Sequence, residues 1–347
     1  MLKLVANTGI TIAASTLLIL CRPLPVASEG IVLRDVLEAV RDNCDQVQSI
    51  AMKSVTTRDY APEGIEVWKT NERVALRREG LSEQEIERRV EGRWRGESGI
   101  QHTLYTFATD GERWRTSRTE LDVPTKSEAA SVAQTDIGEP DVVAAFNGSA
   151  KKVYDKRVRG GQQGPKPQNE TPSANDKSGM YGYLQAVEQG LSLLSEEELQ
   201  TPLVDGKFVI LEEHTSTGTI ELKSVTWKII ELDPQYGLPI NVNVTSTLTR
   251  GTEAPVTKER FGLEATLDQK SGVVFPSQYT VRQSVIEVAP DEIARDPEAR
   301  VEWTLNVMRW EPLVTVTTQI IDIDVNPTFP SDYFDIEFPP GTTVTNK

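Results

Sequence analysis

The sequence is poor in the side chains that most often carry catalysis and metal binding. Its 347 residues include two histidines, His102 and His214, and two cysteines, Cys21 and Cys44. No G-x-S-x-G elbow, Walker loop, H-E-x-x-H helix or cysteine-pair motif occurs. We therefore expect no catalytic residues, no metal site, no cofactor and no enzymatic activity. The alternative, an enzyme, requires one of the two histidines beside a carboxylate in a cleft.

The chain also lacks the positive charge of a polyanion-binding protein. Its formal net charge is -15 at pH 7. Two Arg-Trp-Arg triplets, at 93–95 and 113–115, interleave basic and aromatic side chains, but alternation along a strand explains both. Nucleic acid is not an expected partner.

No apolar run reaches the roughly 20 residues that a membrane-spanning helix needs. The first 28 residues instead combine Lys3, a short apolar run over 10–20, and the small residues Ala27 and Ser28. This pattern predicts an export signal cleaved after Ser28, and a protein of the periplasm or the secreted fraction. The alternative is an uncleaved segment that holds the protein at the membrane. Leu20 argues against lipid attachment at Cys21, since a small residue is expected at that position.

Three segments have helical patterns. The first carries an apolar stripe at i, i+3, i+4 and i+7. Ser82 and Glu85 form a capping box that predicts a charged surface helix, an insertion near 78–92. A third helix begins near Tyr181 and is followed by a second capping box, Ser195 with Glu198. The two apolar stripes are Leu33, Val36, Leu37, Val40, Cys44 and Val47, and Leu184, Val187, Leu191 and Leu194.

Eleven segments from Ile65 onward are rich in Val, Ile, Thr and aromatic residues, as strands are. Short turns at 110–111, 147–148 and 234–237 favour antiparallel links. The predicted fold class is α+β, mainly β: a large curved antiparallel sheet covered by amphipathic helices. The predicted strands are residues 67–77, 102–109, 112–121, 141–147, 151–157, 207–215, 219–232, 239–249, 277–288, 301–310 and 314–325.

One hairpin has a predictable register. A two-residue loop at 110–111 pairs Phe107 with Trp114 and Tyr105 with Thr116. The three aromatic side chains then share one face of the sheet.

Residues 160–179 contain no large hydrophobic side chain and are rich in Gly, Pro, Gln and Asn. We interpret them as a disordered loop within a single domain over 29–347. A domain boundary at this segment is the alternative.

The order of elements, together with the C-terminal segment, resembles the LolA/LolB-like superfamily of outer-membrane lipoprotein carriers. Phe334, Ile336 and Phe338 alternate with acidic residues, and this pattern predicts a last strand of the sheet. Pro339 and Pro340 are expected to end the strand. The residues that carry the resemblance are Asn326, Phe334, Ile336, Phe338, Pro339, Pro340 and Gly341.

The resemblance implies an unclosed antiparallel barrel of about eleven strands, lidded by helices, that holds a lipid or lipoprotein acyl chain. It also implies an arginine inside the barrel that latches the lid. Among the predicted strand arginines, which include Arg73 and Arg77, Arg118 is preferred because the hairpin register puts it on the aromatic face. The candidate cavity or core residues are Tyr105, Phe107, Trp114, Trp68, Trp227, Leu184, Val187 and Leu191.

Sequence patterns do not distinguish a hollow interior from one filled by side chains. A hollow interior predicts a soluble envelope carrier of acyl chains. A filled interior favours a sensor or interaction module that uses the same fold to bind another envelope protein.

Overall fold

The computed structural model describes most of the chain. The predicted export signal, most of the predicted 160–179 loop, His214 and nearly all of the predicted strand 301–310 lie outside the described residues. The described residues are 30–78, 80–93, 99–135, 138–165, 182–203, 207–210, 220–250, 256–283, 293, 295–296, 299, 303 and 313–346.

The fold is mainly β, as predicted. The helices are α1 (Leu33–Asp45), α2 (Pro62–Arg78), α3 (Glu83–Arg93), α4 (Lys126–Gln134) and α5 (Gly182–Ser192), with a 3-10 turn at Glu198–Gln200. The strands are β1 (Ile50–Tyr60), β2 (Ile100–Thr109), β3 (Trp114–Leu121), β4 (Val142–Phe146), β5 (Ala150–Asp155), β6 (Gly160–Pro165), β7 (Lys207–Ile210), β8 (Ile220–Leu232), β9 (Pro239–Arg250), β10 (Val256–Lys270), β11 (Val273–Gln283), β12 (Val314–Val325) and β13 (Thr343–Asn346).

In the described residues, thirteen strands form one unclosed sheet, in the order β13-β6-β5-β4-β3-β2-β1-β12-β11-β10-β9-β8-β7. Strands β1 to β6 form a first antiparallel meander, and β7 to β12 form a second. The pairing of β1 with β12 joins the two meanders, with Ile50 opposite Val325 and Tyr60 opposite Val314. Within the described residues, β13 with β6 is the only parallel pair.

Both faces of the sheet are covered, and we call the face under α1 and α5 the helix-covered face. This face carries Met52 and Phe107, which are opposite each other in the register and pack beside the C-terminal end of α1. The opposite face carries Val55 and Leu104, which pack against Ala129 of α4. Alternation along β1 therefore divides its side chains between two cores.

The structure corrects the prediction for residues 67–77, which lie in α2 rather than in a strand. Pro62 is at the first helical position, which its fixed φ favours. Arg73 and Arg77 are consequently helix residues, and they form ion pairs of 2.8 Å with Glu87 and Glu83 of α3. The apolar pattern of this segment did not reveal these partners, because they lie on a different element.

The hairpin of β2 and β3 has a register two residues away from the predicted one. Phe107 is opposite Thr116, Tyr105 is opposite Arg118, and Thr109 is opposite Trp114. The loop is longer because the Asp110 side chain accepts hydrogen bonds from the backbone N–H groups of residues 112 and 113, at 3.2 and 2.7 Å. A shift of two preserves the faces, so the aromatic residues still share one side.

The C-terminal segment is not the predicted last strand. Phe334 and Ile336 are buried, yet residues 335–339 form no ladder, and the terminal strand is β13. The segment lies on the opposite face, where Ile336 packs against Val143 and Ala145. The side chains of this segment alternate between buried and exposed because the chain is extended and packs on the sheet, although it forms no strand pairing with the sheet.

Several further helices and strands were not predicted from the sequence. Strands β1 and β10 and helix α4 had no predicted counterpart, and residues 160–165 of the predicted loop form β6. Strand β1 has polar side chains on both faces, several of them buried in the sheet: Ser54, Thr56 and Thr57. A simple apolar alternation is therefore absent from the central strand.

Phe334 is expected to be a main anchor of the C-terminal segment. It is 1% exposed, packs edge-on against Phe329 and Tyr333, and lies under the Arg113 guanidinium. We predict that Phe334→Ala lowers the free energy of unfolding by about 3–5 kcal/mol. Chemical denaturation measures this. The matched control Val344→Ala, at a residue 44% exposed, should change it by less than about 0.5 kcal/mol. Equal effects of the two substitutions would contradict the assignment.

Candidate functional site

Helices α1 and α5 lie side by side on the helix-covered face. Most residues of their apolar stripes are buried, whereas Cys44 and Leu194 are partly buried, and the stripes pack against Ile229, Val242 and Val244 of the second meander. The side chains of Leu184, Val187 and Leu191 are each 0% exposed. The predicted residues of α5 therefore contribute to a core shared by two helices and the sheet.

The two helices are joined by a polar contact at their outer edge. Arg41 of α1 donates to the Ser192 hydroxyl at 2.8 Å, and its Nε lies 3.4 Å from Glu188 of α5. The Tyr183 hydroxyl in turn donates to the backbone carbonyl of Pro239 at 2.9 Å. Burial raises the pKa of Tyr183, so its hydroxyl remains a donor at physiological pH.

The C-terminal end of α1 is fixed to the sheet by two asparagine side chains. The Asn43 amide donates to the Val274 carbonyl and accepts from the Val274 N–H, both at 2.8 Å, in a buried position. The Asn326 side chain accepts from the backbone N–H of Gln48 at 2.8 Å and donates to the carbonyl of Gln46 at 2.9 Å. The N-terminal half of α1 is held to the sheet mainly by apolar packing.

The predicted aromatic residues do not all lie together. Phe107 and Trp114 belong to one buried cluster with Phe146. Trp227 packs, partly buried, against the cluster of α1 and α5. Trp68 lies on α2, outside both clusters.

Polar side chains continue the helix-covered face beyond the aromatic cluster. Thr56 and Thr318 are buried, and their hydroxyl oxygens are 3.0 Å apart. Tyr105 and Tyr279 flank them, and burial raises the pKa of the Tyr279 hydroxyl. The guanidinium of Arg58 donates to the Tyr105 hydroxyl at 3.5 Å. We refer to Thr56, Arg58, Tyr105, Tyr279 and Thr318 as the polar pocket.

Arg58 was missed by sequence reasoning because β1 was not recognised as a strand. The signal was present in its spacing, since Ile50, Met52 and Arg58 are separated by even numbers of residues and share a face. The predicted latch, Arg118, is on the same face beside Tyr105, and its Nη2 is 3.7 Å from Glu120. Its role in holding a lid stays a prediction.

The opposite face contains a cavity of about 350 Å³. Its walls are mostly hydroxyl and amide side chains of β1, β11 and β12, with Lys126 of α4 at one side. His102 lies nearby, and its Nδ1 is 2.9 Å from the Thr57 hydroxyl. Burial, and to a lesser extent Lys126, lower the pKa of His102, which favours its neutral form. The lining residues are Val55, Thr57, Lys126, Gln278, Thr280, Thr315, Thr317 and Gln319.

Comparisons with known proteins give fold similarity at low scores. No family model matches the chain, and no curated protein matches its sequence. A DUF1329 family protein from Desulfovibrio piger has 9% identity and a TM-score of 0.31, over 87% of this chain and 95% of that one. An uncharacterized conserved protein from Thermus thermophilus has 7% identity and a TM-score of 0.29, over 90% and 98%. With these scores, neither protein informs the function of this chain.

Among the described residues, no helix has the length and apolar character that crossing a membrane requires. The resemblance to the LolA/LolB-like superfamily stays a prediction at this point. The chemical features of the helix-covered face are therefore the basis for a functional proposal.

Cys44 provides a probe of how tightly α1 is seated. Burial, with the carboxylates of Glu188 and Asp45 nearby, raises the pKa of its thiol to about 12. In a Cys21→Ser background at pH 8, we predict that iodoacetamide labels the folded protein about a thousandfold more slowly than the denatured protein, because the thiolate is the reactive form. The folded rate should keep rising tenfold per pH unit above pH 9, where the denatured rate levels off. Equal rates would show that α1 opens readily.

Asn43 is predicted to be the main polar attachment of α1. Asn43→Ala leaves the buried N–H and C=O of Val274 without this partner, at a cost of about 1–3 kcal/mol for each group. Denaturant unfolding should show the loss. Glu38→Ala, at an exposed position of the same helix, is the control and should change stability little. A small effect of Asn43→Ala would mean that water replaces the side chain.

Proposed function

We propose that this protein is a carrier of the cell envelope that binds the acyl chain of a lipid or lipoprotein between its sheet and helices α1 and α5. The observation that supports it is the continuous apolar surface of the helix-covered face, which extends from β8 to β4. Two helices of 13 and 11 residues lie over this surface. The proposal involves binding alone, without catalysis.

The contacts of α1 and α5 with the sheet are compatible with a lid that separates from the sheet. Apolar packing is non-directional, so an acyl chain can replace the contacts of Val187 or Leu191 with the sheet at little cost. The side chains of Asn43 and Asn326 fasten the C-terminal end of α1 to the sheet. At the N-terminal end, the Leu33 N–H donates to the Thr201 carbonyl, which joins α1 to the segment after α5 rather than to the sheet. In this proposal α1, α5 and that segment move together about the C-terminal end of α1, with Arg41 linking the two helices.

A second candidate function is a sensor or interaction module that binds another envelope protein. The observation that favours it is the complete enclosure of Val36, Val40 and Leu184, all 0% exposed. In this candidate the side chains of the helices fill the interior permanently. The partner then binds an outer surface, and the lid has no need to open.

Acyl-chain binding is tested by displacement of a fluorescent fatty acid and by native mass spectrometry of the purified protein. Each added methylene should contribute about 0.8 kcal/mol, so that affinity rises about fourfold per carbon until the site is full. Absence of carried lipid together with absence of displacement would overturn the carrier. Recovery of one stoichiometric protein partner under the same conditions would support the second candidate.

A pair of leucines in one segment provides a matched test of the location. Leu191 is 0% exposed and Leu193 is 74% exposed. Leu191→Trp places extra volume between α5 and the sheet and should weaken acyl-chain binding at least tenfold, whereas Leu193→Trp should leave it unchanged. Overpacking can cost about 1–3 kcal/mol of stability, so circular dichroism must first show that both variants are folded. Equal affinities would place the ligand elsewhere.

A further inference from the structure

Arg58 is a partly buried cation without an acidic partner among the described residues. Its position on β1 puts it on the helix-covered face, and its hydrogen bond there is to the Tyr105 hydroxyl. No carboxylate in the described part of the chain forms an ion pair with it. Acidic residues outnumber basic ones in the whole sequence, 52 to 37. Despite this excess of acidic residues, the partner of Arg58 is a neutral hydroxyl group.

Partial burial makes this arrangement costly for the protein alone. A guanidinium loses hydration when it leaves water, and an opposite charge is the usual compensation. The Tyr105 hydroxyl offers one neutral acceptor, while the guanidinium has five N–H donors in a planar fork that matches a carboxylate or phosphate. Most of the hydrogen-bonding capacity of Arg58 is consequently available to a ligand.

Hydroxyl groups from both meanders share the face of the sheet on which Arg58 lies. Tyr105 comes from β2, and Tyr279 comes from β11, where it is opposite Thr318. Burial raises the pKa of the Tyr279 hydroxyl, while a hydrogen bond with Thr318 and the positive charge of Arg58 act in the opposite direction. At neutral pH the Tyr279 hydroxyl is therefore protonated. The polar pocket thus combines one cation with several hydroxyl donors.

The polar pocket is continuous with the apolar surface. Ser54 is opposite Tyr105, and one step of the alternation earlier Met52 is opposite Phe107 in the aromatic cluster. Two residues along a strand span about 7 Å. An elongated ligand that follows these strands therefore passes from aromatic and aliphatic contacts to hydroxyl groups and a guanidinium.

We infer that the polar pocket binds the oxyanion headgroup of the ligand, a carboxylate or a phosphate, with Arg58 as the main contact and Tyr105 and Tyr279 as hydroxyl donors. This inference rests on the proposed acyl-chain carrier and defines its ligand as an anionic amphiphile. Arg118 has a neighbouring carboxylate in Glu120, so it is secondary to Arg58 in this role.

Three ligands of about twelve carbon atoms test the headgroup: dodecanoate, dodecyl phosphate and dodecanol. Each competes with the neutral dye N-phenyl-1-naphthylamine at pH 7.4, so the dye itself does not depend on a charge. The wild-type protein should bind at least one of the two anions tenfold or more tightly than the alcohol. The ratio between dodecanoate and dodecyl phosphate then shows which oxyanion the pocket prefers.

Substitutions assign the preference to the pocket. Arg58→Gln should reduce the preference for the anion to less than twofold and leave dodecanol affinity unchanged. Tyr105→Phe should weaken anion binding severalfold. Arg89→Gln removes an exposed arginine of α3 that pairs with Glu85, and as the matched control it should preserve the preference. Thermal unfolding checks that each variant is folded.

The outcomes separate the two proposals. If dodecanol binds as tightly as both anions, or if Arg58→Gln weakens all three ligands equally, the headgroup site is wrong while the carrier is supported. If none of the three ligands displaces the dye, the carrier and the headgroup site are both overturned.

Discussion

The antiparallel pairing of β1 with β12 is the constraint on which the rest of the fold depends. It joins two six-stranded meanders that have no other pairing between them in the described residues. A bulge accompanies it, since Lys53 is opposite Asp322 and Ser54 is opposite Ile320. Ile321 is the extra residue of β12 and packs in the core of the opposite face, whereas Ile320 and Ile323 both pack on the helix-covered face. One irregular strand pair therefore supports packing on both sides of the sheet.

The candidate site depends on the same pairing. Arg58 and Tyr105 belong to the first meander, whereas Tyr279 and Thr318 belong to the second. Helix α1 also connects the halves, because it directly precedes β1 and binds Val274 of β11 through Asn43. A ligand that contacts both sides of this junction adds its binding free energy to the association of the two meanders. Binding and the integrity of the sheet are consequently linked properties.

Sequence reasoning predicted the parts whose patterns are local. The stripes of α1 and α5 and the capping box of Ser195 have the expected structure, the last with hydrogen bonds from the Ser195 N–H and hydroxyl to Glu198. The shared face of Phe107 and Trp114 was also predicted, because a register error of two residues leaves faces unchanged. Local patterns failed where distant partners decide the structure. Strand β1 buries threonines through contacts with residues far along the chain, and the charged residues of α2 find their partners on α3. Arg58 was missed for this reason.

The position of β1 has a consequence for how the chain is made. Ile50 is synthesised long before its partner Val325. Until β12 has emerged, one edge of the central strand has no native partner, which is a condition that invites incorrect pairing. Lys53, Arg58 and Asp59 place charges along this edge and oppose association with foreign strands. The charge that we assign to ligand recognition in the finished protein thus also protects an unfinished one.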